Sequence, residues 1–513
     1  MNRGRGQEAG RSTGHWWART ALGLAAILAG VSAFSSSQAT DDKFDRWWSP
    51  GEGRSFPAVL DYANEHGVLR TILVDGPMET KGHPFFEPMG QDGRACVTCH
   101  QPADGMSLSA ATVRQRWDVT GGTDPLFAAY DGSNCPSLPQ GDKASHSLLL
   151  ERGLFRIQLP WPVSQWNELK VTPDFTIDVV RDPNGCNSGS DYGPEAGNIS
   201  VYRRPRPIGN MKYLLAVGFA FDPKQGLALP LDRDSGEPMS GNLMADNRVG
   251  NLREQMEDAG FTHLQMLQRI PEVDRKRIEN FEMRLYAAQQ AGKGGQVDSD
   301  GATGGPATLR DSQAGALGSQ GIPVWSEFEA WEKMTPEQKA KLTPAQIAFR
   351  ESVARGSRVF REKMFLITDS AGINSGMGFG NPVRNSCVFC HNMTRMGNDV
   401  APGQVDLGTT TLPFADPWED LPLFRITCLK KPHPHYGRVF YTYDPGFAMT
   451  TGRCQDVGKI TLQSMRGLAS RAPYFSNGLA KDLRGIVDYY ERRYNIGYTE
   501  QEKEDLVNLM SVL

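Results

Sequence analysis

With 513 residues, 39% of them hydrophobic and 22% charged, the chain has the composition of a globular protein large enough for roughly two to four domains. A net charge of -4 excludes the broad basic field by which proteins hold nucleic acid.

The N-terminus reads as an export signal. Arg3, Arg5, Arg11 and Arg19 precede an apolar run at 21–34 (ALGLAAILAGVSAF), and Ser37-Gln38-Ala39 offers small residues for cleavage. The run is shorter than the roughly 20 residues a bilayer span needs. Residues 1–39 are therefore expected to be removed after Ala39, leaving a periplasmic chain without a membrane span. Four cysteines, Cys135, Cys186, Cys428 and Cys454, lie outside the two motifs described below. In an oxidising compartment they can pair in three ways. Cys135 with Cys186 and Cys428 with Cys454 are the expected pairs, one in each half of the chain.

In chain order, 40–70 is polar and aromatic, and 121–140 is turn-rich and reads as loop. The apolar stretch 145–159 suits helix or strand. Alternation predicts strands at 175–180 and 212–217, a small β element on the first domain. The spacing of Leu252, Met256, Phe261, Leu264, Leu267 and Ile270 predicts a helix over 251–289, broken near Pro271. Residues 291–321 are rich in Gly, Ser and Ala and read as a mobile linker. Thr343-Pro344 caps a helix running through Phe360. Two more helices are expected near 482–493 and 499–512, the last opened by a capping box of Thr499 and Glu502. The expected fold is mainly α, with two cytochrome c-like haem domains at 40–290 and 322–513.

The chemistry lies in two C-x-x-C-H motifs, Cys96-Val97-Thr98-Cys99-His100 and Cys387-Val388-Phe389-Cys390-His391. Two thiols at this spacing can form thioethers to one haem, and the adjacent histidine reaches its iron. A zinc ribbon needs two such pairs folded together, and here they lie far apart. The motifs thus predict two covalently bound haems, with Cys96, Cys99, Cys387 and Cys390 as attachment points and His100 and His391 as iron ligands. What fills the sixth position decides between electron transfer and reaction with a small oxidant. Met465 is the expected sixth ligand of the second haem, with Met449, His433 and His435 as alternatives. Met106, His146 and His263 are the candidates near the first.

Three segments together resemble the di-haem cytochrome c peroxidase and MauG-like superfamily. One is the pair of haem motifs. The second is the run from Met465 to Gly478 (MRGLASRAPYFSNG), similar to the family's L-R-N-x-A-x-x-A-P-Y-F-H-N-G, with the Thr499–Lys503 stretch beyond it. The third is Met244-Ala245-Asp246-Asn247-Arg248 through Leu252 to Gln255, similar to F-W-D-G-R-x-x-x-L-x-x-Q. The resemblance implies electrons arriving at the C-terminal haem from a small cytochrome or cupredoxin, and peroxide reduction at the N-terminal one. It implies a pocket lined by Gln255, His263 and Gln265, and haem acid groups paired with Arg466 and Arg471. It also implies a calcium ion between the domains, for which the sequence has no diagnostic loop. The chain departs from the pattern at Ala245, where the family has a bridging tryptophan. It departs at Gln265, where the family has its peroxide-handling glutamate, and at Ser476, where the family has histidine. Glutamine cannot take a proton as carboxylate does. His263, with an ordinary pKa of about 6.5, is therefore the expected base, or else a sixth ligand. A non-enzymatic two-haem electron carrier is the alternative function.

Overall fold

The computed structural model describes residues 46–513 apart from 167–168, 217–220, 223–225, 228–241, 313–322, 376–378 and 400–403. The expected export signal lies outside these residues. The chain divides into a unit ending at Trp47, of which only Arg46 and Trp47 are described, and a unit from Trp48 to Leu513. The second unit carries everything below.

The fold is mixed α/β rather than mainly α. Its longer helices are Ala110–Thr120, Leu252–His263, Glu272–Met283, Pro344–Glu362, Leu483–Tyr494 and Glu500–Met510. Between them lie several small antiparallel sheets. One has four strands in the order Gly295–Gln296, Leu285–Gly292, Gly67–Leu73, Val59–Asn64. Another joins Val439–Thr442, Leu423–Cys428 and Phe175–Arg181, and a ribbon pairs Phe155–Pro160 with Asn198–Arg203. The strand Phe175–Arg181 falls where alternation predicts it. Residues 211–214 form a helical turn instead of the expected strand. The helix expected to run to 289 stops at Met283, and Leu285–Gly292 is strand. Leu285, Tyr286, Ala287, Ala288 and Gln289 are all buried, so this strand lacks the alternation that marks a one-sided sheet.

Residues 291–312, expected as linker, are built into the fold. Gly292 and Gly295 face each other across a hairpin, Pro306–Asp311 is helical, and Val297, Ala302 and Leu309 are buried. Residues 313–322 lie outside the description. The capping signals hold. Thr343 and Gln346 satisfy each other's backbone at the start of Pro344–Glu362, and Thr499 and Glu502 do so at Glu500–Met510. These two helices touch at Gly356, where a Cβ would fall 2.0 Å from the Asp505 carbonyl, so only glycine fits.

The three largest apolar clusters among the described residues organise much of the interior. Phe56, Phe85, Phe86, Val97, Met256 and Phe281 belong to one around the first motif. Trp325, Phe328, Trp331, Leu483 and Leu509 belong to one beside the second. The third draws on both halves of the chain, with Ile157, Phe175 and Ile199 against Phe424 and Ile426. Disulfides join Cys135 to Cys186 and Cys428 to Cys454, the expected pairing, and leave the four motif cysteines free.

Two candidate haem cavities

The first motif begins as a tight 3-10 turn, Cys96–Thr98, that brings the His100 amide to 3.1 Å from the Cys96 carbonyl. This folds both thiols and the imidazole toward one cavity of about 1210 Å³. His100 Nδ1 lies 3.1 Å from the Met106 carbonyl, which holds the ring and leaves Nε2 for a metal. The facing wall is the helix Leu252–His263, whose N-cap Asn251 accepts from the Glu254 amide. Leu252, Gln255, Met256, Ala259, Gly260 and His263 all line the cavity, at the spacing of one helix face. Ala245, at the family's tryptophan position, lines it too.

His263 is held from behind. Its Nδ1 is 2.9 Å from Oδ2 of Asp131, and the other oxygen of that buried carboxylate accepts from Arg94. Arg94 also donates to the His263 carbonyl at 3.2 Å. Burial, helped by Arg248 and Arg94, pushes the His263 pKa down to about 4, not the ordinary value expected from sequence. The ring is therefore neutral at neutral pH and carries one proton. Asp131, paired with Arg94, can only accept, so that proton sits on Nδ1 and the Nε2 lone pair is left free.

Gln265 is not among the cavity-lining residues. The helix ends at His263, and Gln265 takes a left-handed conformation (φ 50°) two residues beyond it. The glutamate position inferred from the resemblance therefore falls past the end of the helix that lines the site. Met106 serves His100 through its carbonyl, and the two ring nitrogens of His146 lie 2.8 and 2.9 Å from the Gly132 and Gln140 carbonyls.

The second cavity, about 1340 Å³, is lined by Cys387, Cys390 and His391. His391 Nδ1 is 2.6 Å from the Gly397 carbonyl, the same support that His100 receives. Met465 lines the cavity, and its sulfur lies 2.8 Å from where a Gly397 Cβ would stand. Met449, His433 and His435 do not line this cavity. Four tyrosines do. Tyr474 donates to the Leu468 carbonyl, Tyr494 bonds Ser370, and Tyr498 lies against the Cys387 sulfur. The Tyr490 hydroxyl has no hydrogen bond among the described residues. Arg471 and Ser476 are also in the lining. Arg466 is buried elsewhere, against the Arg395 and Gly304 carbonyls and Glu327, and lines neither cavity.

Part of the chain is similar to a cytochrome c peroxidase. It is 30% identical over 146 residues to the cytochrome-c peroxidase IdrP1 of Pseudomonas sp. (strain SCT). The match covers 25% of this chain and 36% of that relative, so it spans about a third of the relative's length. No family profile matches the chain. The similarity carries a peroxidase-like, haem-dependent relationship and no assignment of individual residues.

The residues present fit haem. Burial pushes Cys99 and Cys387 up to about 11, and Cys96 and Cys390 upward as well. Reactive C-x-x-C pairs have depressed thiol pKa values, so these are not poised as a thiol–disulfide couple. Among the described residues no group of three His, Cys, Asp or Glu side chains could hold a bare metal ion. No described helix is long and apolar enough to cross a membrane. Asp131, Glu282 and Tyr490 are site residues absent from the sequence reading. Glu282 is buried in the first cavity wall, and its Oε2 has no partner among the described residues.

Proposed function

We propose that the protein is a periplasmic di-haem oxidoreductase that reduces peroxide, with Cys96, Cys99 and His100 holding one haem and Cys387, Cys390 and His391 the other. The reading rests above all on the first cavity, where a neutral histidine backed by a carboxylate shares the wall opposite a haem-ligand motif. When bound, haem supplies iron that accepts and donates single electrons.

The chain's own groups supply the rest. His263 Nε2 takes a proton from peroxide, while Asp131 holds the ring through Nδ1 and stabilises the cation that forms. Gln255 donates or accepts a hydrogen bond beside it but cannot carry the proton. At the second cavity Tyr490 and Thr461 both present hydroxyls without a partner among the described residues, and of the two tyrosine is an established type of haem ligand. Electrons are delivered to this second site by a small redox protein of the cytochrome or cupredoxin type.

The test is spectroscopic and kinetic. The purified holoprotein should retain two haems on a denaturing gel, show a high-spin fraction in the resting or half-reduced state, and consume peroxide with a reduced small cytochrome as donor. Purely low-spin spectra in every redox state, with no response to peroxide, would overturn the peroxidase reading in favour of an electron carrier.

A further inference from the structure

The two cavities share a wall made from residues 203–208 and 460–476. Arg204 and Arg206 line the first cavity from this wall, and Arg471 lines the second. Arg204 donates to the Arg471 carbonyl at 2.7 Å and to the Leu108 carbonyl at 2.5 Å. Arg206 donates to the carbonyls of Thr461 at 2.9 Å, Leu462 at 2.8 Å and Asn242 at 3.0 Å. Arg471 reaches the carbonyls of Ser464 and Arg466 and the side chain of Gln463. None of the three forms an ion pair among the described residues.

That is an expensive arrangement for a folded chain. A buried cation without a counter-charge costs several kcal/mol. Arg471 repels both others, and burial with this repulsion pushes Arg204 and Arg206 down to about 9. Arg204 Nη1 is buried with no acceptor among the described residues. The adjacent Arg203 shows the usual solution, pairing with Asp444 and Asp246 at 2.6 Å each. The fold thus supplies carboxylates to Arg203 and withholds them from its neighbours. The missing anions must come from whatever fills the cavities, and each haem brings two carboxylates.

We propose that Arg204, Arg206 and Arg471 form one shared cradle for the acid groups of both haems, holding the two haems by their carboxylate edges against a common wall. This rests on the reading that both cavities bind haem. It goes beyond pairing Arg471 with a single haem, because one guanidinium cluster then biases both irons. A unit charge about 10 Å from an iron, at an effective dielectric of about 20, changes its oxidised-to-reduced ratio by roughly tenfold.

The test is a spectroelectrochemical titration of the full-length holoprotein. Arg206→Gln removes one positive charge, so at fixed potential the reduced fraction should fall at both haems, by roughly three- to tenfold in the reduced-to-oxidised ratio. Arg206→Lys should restore most of it. A shift at one haem only, or at neither, overturns the shared cradle. If Arg206→Gln does not fold, infrared difference spectra of the wild type decide instead. Haem carboxylates held by guanidinium groups stay ionised to about pH 3, and their protonation near pH 5 overturns the proposal. A wild type lacking covalent haem by mass overturns the di-haem reading itself, whereas two haems with unmoved potentials overturn only the cradle.

Discussion

Nδ1 of His263 stands 2.9 Å from Oδ2 of Asp131, across 132 residues of chain. The pair fixes which ring nitrogen holds the proton and leaves the other for chemistry. His263→Ala should leave the haem bands nearly unmoved and slow the reaction with peroxide by about 10²–10⁴-fold in stopped-flow mixing. Asp131→Asn should slow it in the same direction while also lowering the melting temperature, because buried Arg94 loses its nearest carboxylate. Growth of a high-spin band with faster peroxide reaction in His263→Ala would instead make His263 an iron ligand.

The second cavity gives an opposed pair of outcomes. Tyr490→Phe removes a lining hydroxyl without a partner and should change the absorption spectrum and potential of the second haem. Met465→Ala should leave the spectrum alone and cost about 2–5 kcal/mol in urea unfolding, as deletion of a packed side chain does. The reverse pattern would give the ligand role to Met465.

Glu282 makes stability depend on pH. Burial, with Glu279 nearby, pushes its carboxyl up to about 8 from 4.5. Between these values the folded state keeps the proton and the unfolded state releases it, so stability is full below pH 4.5 and is lost as pH rises toward 8. Glu282→Gln should remove this slope and stabilise the protein at pH 7 by about 3 kcal/mol. Equal denaturation midpoints for the two proteins at both pH 5 and pH 7 would sink the assignment.

The disulfides should rank by the loop each closes. Cys135–Cys186 spans 51 residues and Cys428–Cys454 spans 26. Loop-closure entropy assigns about 4 and about 3.5 kcal/mol respectively. Replacing each pair with serine and measuring denaturant unfolding checks both values. A loss below 1 kcal/mol from the longer loop would show that the unfolded chain is already compact there.

What could be read from the sequence was local. The haem motifs, the caps at Thr343 and Thr499, and the helix bearing Gln255 and His263 each declare themselves within about a dozen residues. Asp131 does not, because a single aspartate in a turn-rich loop has no pattern that ties it to a helix far downstream. Most of the strand pairings were missed for a similar reason. Gly67–Leu73 finds its partner at Leu285–Gly292, and Phe175–Arg181, itself marked by alternation, finds its own at Leu423–Cys428. A distant partner leaves no local signal, and a doubly buried strand carries no alternation. Gln265 falls past the end of the helix that lines the site, because counting along a motif does not show where a helix stops. Tyr490 sits within an amphipathic helix where an aromatic is ordinarily core.

The pairing of Phe175–Arg181 with Leu423–Cys428 has a consequence for how the molecule is made. The earlier strand leaves the ribosome well before its partner, and at about 5–20 residues per second the delay is roughly 12–50 s. Throughout that interval one strand edge is exposed with nothing to bond, a template for joining another nascent chain. The same register binds the halves to one fate. A gene cut near residue 320 would yield two fragments, each carrying a haem motif and each lacking a strand that only the other can provide.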